Sequence, residues 1–200
     1  METQNRTFTP RQQEIIREAI RIIAADGIGD LTIKNLAGAV HVTEAALYRH
    51  FQNKQAILAA IIETFDMISR TPPHPDPHAD ALDQIEWFVQ DRYTKFAADP
   101  DLAKIMLSES IFIHNNLMAE KKRRVMHGHK GEVVGWIEAG QRQGGIRPDI
   151  DAVALFRVIV GSMRLLVLQW CFNHHAFDLK KEGRRLWLDI RKMARPAQWR

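Results

Sequence analysis

Thr43, Tyr48, Arg49, His50 and Lys54 put two hydroxyls, an imidazole and two permanent cations within twelve residues. Side chains of these types donate to phosphate oxygens and base edges. No nucleophile stands beside a base at catalytic spacing anywhere in the chain, so the chemistry on offer is recognition of a polyanion, not an enzyme's bond-breaking. Ala45 leaves a gap in the row, small enough for close approach to bases, and its methyl can meet a thymine methyl. Thr32 and Lys34 add a hydroxyl and an ammonium a short distance upstream.

The elements that must carry these groups can be read locally. Thr32 is a good N-cap for a helix over about 33–40, in which Ile33, Leu36, Ala37 and Val40 recur at helical spacing. Thr43 caps a second, very short helix over 44–50, with Ala46, Leu47 and Phe51 turned inward. His41-Val42 makes the turn between them, Val42 being its apolar plug. Two short helices crossing over such a turn form a helix-turn-helix, whose second member enters the major groove of double-stranded DNA. Asn53-Lys54 then opens another helix, where backbone amides and the Lys54 ammonium could hold a phosphate. An ordinary helical hairpin with a solvated polar face has the same spacing, so geometry alone leaves both readings open.

Over Thr9 to Leu58 the sequence resembles the TetR family of bacterial one-component transcriptional regulators. The run from Thr43 to Lys54, TEAALYRHFQNK, carries the family's leucine, tyrosine, histidine and phenylalanine cluster and its following lysine. The resemblance covers about the first quarter of the chain, and beyond it is architectural. It implies DNA contacts at Thr32, Thr43, Ala45, Tyr48, His50 and Lys54, to which Lys34 and Arg49 add local positive charge. One position departs from the pattern: His41 stands where the family has glycine, at a turn suited to positive φ. Histidine tolerates that conformation better than most residues, so an intact, slightly strained motif is expected, with the His41 side chain near the DNA backbone.

Composition sets the outer limits. Two hundred residues with 46% hydrophobic content can bury one sizeable core or two small ones. The opening residues have no apolar stretch of the signal-peptide kind, and a lone Cys171 fits a reducing cytoplasm, where the family resemblance implies association with the nucleoid. Net charge is +4, yet residues 1–70 hold eight Lys/Arg against eight Asp/Glu. Lys34, Arg49 and Lys54 face only Glu44 within the 32–54 segment, so DNA binding should be focused and salt-sensitive. The basic run Lys121–Arg124 reads as a solvated helix face.

Helical periodicity dominates, giving an all-α chain of about nine helices. A helix-turn-helix domain over 1–54 opens with the capping pair Thr9 and Gln12 around Pro10, and a connecting helix spans about 54–70. The proline-rich connector Thr71–His78 leads into a helical regulatory and dimerisation domain over 71–200. His74, Asp76 and His78, like the pairs His127/His129 and His174/His175, lack the accompanying ligands of a metal site, so neither metal nor cofactor is expected.

The stretch 152–172 is apolar nearly all round, but Arg157, Arg164 and Gln169 interrupt it, which favours a helix buried on two faces over a membrane span. Val153, Phe156, Val160, Met163 and Val167 on that helix, with Leu186, Trp187 and Ile190 on the last, are expected to form a homodimer contact of four helices. A thicker single-chain core is the alternative. The family resemblance also implies a small-molecule cavity. Trp87, Met106, Phe112, Trp136, Phe156 and Met163 suit an apolar or aromatic effector, with Arg164, His114 and Glu109 as polar anchors. The expected function is a ligand-responsive regulator, acting as a repressor on a palindromic operator. Alternatives are a chromosome-wide DNA-binding factor acting through a protein partner, as in nucleoid occlusion, and a small-molecule binder with a vestigial head.

Overall fold

The computed structural model describes residues 8–108 and 116–196, and every regular element among them is an α-helix. In chain order these are α1 (Pro10–Asp26), α2 (Ile33–Ala39), α3 (Glu44–Tyr48), α4 (Lys54–Ser69), α5 (Ala81–Ala98), α6 (Pro100–Leu107), α7 (Asn116–Arg142), α8 (Ala152–Phe172) and α9 (Leu179–Ala194). Side-chain caps start them where the sequence places Thr, Asn or Asp. Thr9 forms a reciprocal capping box with Gln12, and Asp80, Asp99, Asp151 and Asp178 each accept from the first turn of α5, α6, α8 and α9.

Two apolar cores result. The first joins α1–α4 around Ile15, Leu36, Leu47 and Ile57, and takes Leu102, Ile105 and Met106 from α6. The second joins α5, α7, α8 and α9 around Ile85, Tyr93, Ile137, Val167 and Trp187. Phe65, near the end of α4, packs against both. Between α5 and α9 contact is very close: a β-carbon on Gly183 would stand 2.2 Å from the Tyr93 ring. The same pair of helices is tied by Glu86, which accepts from Trp187 Nε1 (2.8 Å) and Arg191 Nη1 (3.0 Å), while Arg191 also meets Asp83 at 2.7 Å.

The faces of α8 and α9 fall differently from the sequence expectation. Met163, Val167, Trp187 and Ile190, expected at a contact between subunits, lie inside the chain's own core. Val153, Phe156, Val160 and Leu186 are half-buried. Apolar periodicity on an all-round apolar helix cannot say which face turns inward, and here Leu155, Ile159, Met163, Val167 and Trp170 do. The outward face carries Val158, Gly161, Leu165, Leu168 and Phe172, spaced three and four residues apart in alternation, with Leu165 56% and Phe172 74% exposed. That is the seam spacing of a helix meant to pack against another. By length and composition alone α8 would pass for a membrane span.

Candidate nucleic-acid interface

Each short helix of the first domain is held by more than its own turn. Thr32 Oγ1 accepts from Asn35 N at 3.0 Å and Thr43 Oγ1 from Ala46 N at 3.2 Å, so both hydroxyls fix helix starts and keep their protons for a further acceptor. The turn closes with His41 N donating to Gly38 O and Val42 N to Ala37 O, the paired bonds of a Schellman ending. That ending needs a left-handed residue, and His41 supplies it at φ 55°. Its side chain points to solvent. His174, φ 50°, ends α8 by the same pattern, His174 N donating to Cys171 O and His175 N to Trp170 O, and the His175 ring lies tilted against Trp170 at 4.2 Å.

A five-residue helix cannot hold its own orientation. Leu47, fully buried, and Phe51 anchor α3 from below. From the side, two residues of α1 grip the backbone before and after it: Arg11 Nη2 donates to Val40 O, at the end of α2, at 2.8 Å, and Gln12 Nε2 to His50 O, just after α3, at 3.2 Å. Arg11 and Gln12 were not singled out from the sequence. Their signal is position: they stand one turn before Ile15 and Ile16, so their polar ends fall where α2 and α3 expose carbonyls.

The result is a rigid stub whose Thr43, Glu44, Ala45, Tyr48 and Arg49 are exposed, with His50 half-buried at its end. Lys34 is exposed near the start of α2. Lys54 begins α4, and its ammonium donates to Ile28 O at 2.8 Å, so it bridges to the loop after α1. Of the eight expected DNA-contacting residues, Thr32, Lys34, Thr43, Ala45, Tyr48 and Arg49 are thus exposed, His50 is half-buried, and Lys54 is already engaged by the fold.

Among the described residues, the expected effector-lining side chains divide between the two cores and the connector. Met106 is buried in the first core against α1–α4, because α6 turns its apolar face to the DNA-binding part. Trp87 donates its indole N–H to Pro72 O at 2.8 Å, over the connector. Trp136, Phe156 and Met163 do share the second core, where Trp136 meets Phe88 edge-on at 6.2 Å. Arg164 is half-buried on α8. Phe112, His114 and Glu109 lie outside the described residues. Missed from the sequence was Arg92, buried at 3% exposure with its guanidinium over the Phe88 ring. Its signal was a cation four residues from both Phe88 and Phe96 on an otherwise apolar stripe.

Residues 15–61 match the family model of bacterial regulatory proteins of the tetR family, and residues 64–189 match that of the C-terminal region of YsiA-like protein. The chain belongs to the TetR family. These regulators bind DNA through the N-terminal helix-turn-helix and are not enzymes, and this TetR-family chain is a DNA-binding transcriptional regulator of the ligand-responsive kind. It is similar to the fatty acid metabolism regulator protein of Bacillus subtilis, 23% identical over 172 residues, spanning 85% of this chain and 88% of that one. It is also similar to a probable acrEF/envCD operon repressor of Escherichia coli, 26% identical over 198 residues, spanning 94% and 88%. Among solved structures, the regulator FadR from Bacillus subtilis in complex with stearoyl-CoA shares its fold, with a TM-score of 0.76 at 22% identity over 89% of this chain and 96% of that one.

Proposed function

We propose that this regulator is a repressor that binds a palindromic operator as a homodimer and leaves it when a small effector with an apolar body binds the second domain. In this reading residues 1–54 are the DNA-reading head, the helix to residue 70 the lever, and 71–200 the regulatory and dimerisation part, working in the cytoplasm on the nucleoid. The observation that carries it is the helix-turn-helix pinned to α1, Arg11 holding the end of α2 and Gln12 the backbone just after α3, so that Thr43, Ala45 and Tyr48 project from a fixed surface. Thr32, Lys34, Arg49, His50 and Lys54 surround that surface with donors for the backbone phosphates.

The second support is the bare seam on α8. A row of Val158, Leu165, Leu168 and Phe172 left in water is an unusual exposure for a lone chain. Pairing two such seams about a two-fold axis covers them and sets two recognition helices at a fixed separation, which is what a palindrome requires. The half-buried Val153, Phe156, Val160 and Leu186 flank that contact; Trp187, Ile190, Met163 and Val167 support it from within. The fatty-acid regulator and the stearoyl-CoA complex among its relatives favour an effector with a long apolar body.

Selecting bound fragments from the source genome tests this reading. A few sites beside promoters, each an inverted repeat, support it. Many dispersed sites together with a tightly held protein partner would instead place the chain among chromosome-wide factors.

A further inference from the structure

Arg92 is the only charged side chain buried among the described residues. Its Nη2 donates to Thr71 Oγ1 at 2.8 Å, but Nε and Nη1 are buried without a hydrogen-bond partner. The nearest carboxylate, Asp91, is 3.8 Å away and already bonded by Lys95 Nζ at 2.6 Å. Burial holds the guanidinium well below its ordinary range, down to about 10, against the pull of Asp91 and Glu132. A buried cation with two unpartnered nitrogens is costly unless something negative completes it.

Its surroundings suggest what would. Arg92 and Lys95 line a crevice with Phe65, Ile68, Phe96 and Leu102, between α4, α5 and α6. The crevice has room for little more than a water molecule. Both cations also tether the joint that follows α4, Lys95 through Arg70 O at 2.9 Å and Arg92 through Thr71. Any occupant with an apolar body must therefore part α4 from its neighbours, and any anion there competes for the two groups that hold the end of α4 in place.

We infer that this crevice is the site for the anionic group of an amphipathic effector, which pairs with Arg92 and Lys95, lays its apolar body along Phe65, Ile68, Phe96 and Leu102, and frees the end of α4 by drawing both cations off the joint. The inference rests on reading the chain as an effector-responsive regulator and adds the charge class of the effector, the residue that selects it and the path to the head. Two sources share this chemistry, a free carboxylate and the phosphates of a coenzyme A thioester.

The test uses the full chain with dodecanoate, dodecanoyl-CoA and uncharged dodecanol, titrated calorimetrically. At least one anion should bind about tenfold to hundredfold more tightly than dodecanol, the range expected for completing charged hydrogen bonds. Whichever of the two anions does so identifies the source. Arg92→Met, which keeps the length and removes the charge, should erase that preference, and Arg92→Lys should restore part of it. Hydrogen exchange at the amides of the last turn of α4 should quicken when the anion is bound. Equal binding of dodecanol, an Arg92→Met chain that keeps the preference, or no binding of either anion at millimolar concentration overturns the site. Unchanged exchange with the anion bound overturns the path to α4. DNA binding is followed on the same preparations: a chain that takes the anions and ignores DNA refutes the regulator reading, while one that holds DNA and ignores the anions refutes the site.

Discussion

Lys34→Ala is the most direct probe of the positive rim around the recognition helix. Lys34 is exposed, and no hydrogen bond or ion pair engages its ammonium within the described fold, so its removal leaves the free protein's contacts unchanged. Each lysine that neutralises a phosphate adds about 0.9 to the slope of log affinity against log salt, and a dimer loses two, so the slope should flatten by roughly 1.8. Raising salt from about 50 to 200 mM changes its logarithm by about 0.6, so the variant's loss of affinity over that range should be about tenfold smaller than the parent's. Fluorescence anisotropy on a labelled operator duplex at several salt concentrations reads this directly. Lys54→Ala is the informative contrast. Its ammonium bonds Ile28 O at 2.8 Å, so that variant should also lose roughly 1–3 kcal/mol of stability. A Lys34→Ala slope indistinguishable from the parent's, on a duplex both proteins bind, removes Lys34 from the phosphate-contacting set and moves the protein's docking away from the start of α2.

Gly183→Ala should cost about 1–3 kcal/mol, because the new methyl meets the immobile ring of Tyr93; a melting midpoint within a degree of the parent would refute the close approach of α9 to α5. His41→Gly relieves a left-handed histidine and should raise the midpoint by about 2–4 °C, whereas a fall would contradict the turn's geometry. Leu165→Arg puts a charge in the α8 seam and should yield single chains by sedimentation with lost operator affinity; a dimer that survives it places the contact elsewhere. Arg92→Met exchanges a half-satisfied buried cation for an apolar side chain of similar length. Because the folded state holds that guanidinium below its unfolded range, the cost of its charge is fully present at neutral pH and eases only as pH climbs past about 10. At pH 7 the variant should therefore melt no lower than the parent, and a drop of several degrees would make Arg92 a structural tie.

The parts of the molecule written in local chemistry were legible in the sequence. Caps at Thr9, Thr32 and Thr43 fixed helix starts, and the left-handed turn at His41 was implied by the family's glycine at that position. What depended on long-range packing was not. Arg11 and Gln12 clamp carbonyls 29 and 38 residues away, which no periodicity reveals. The inward face of α8 is decided by α5, α6, α7 and α9, which periodicity on an all-apolar helix does not reveal, and it takes Met163 and Val167 into the chain's own core. Met106 went astray for a related reason: α6 belongs to the second half of the chain but packs on α1. Arg92 reads as an ordinary surface cation until three helices enclose it.

The central claim is that two copies of the α3 stub read one operator together. Sedimentation of the purified chain with a selected genomic duplex at low salt tests it most directly. Two chains per inverted repeat, bound together with no single-chain intermediate, is the outcome the proposed function predicts. Chains that stay single at working concentration and leave every genomic duplex unbound would contradict it.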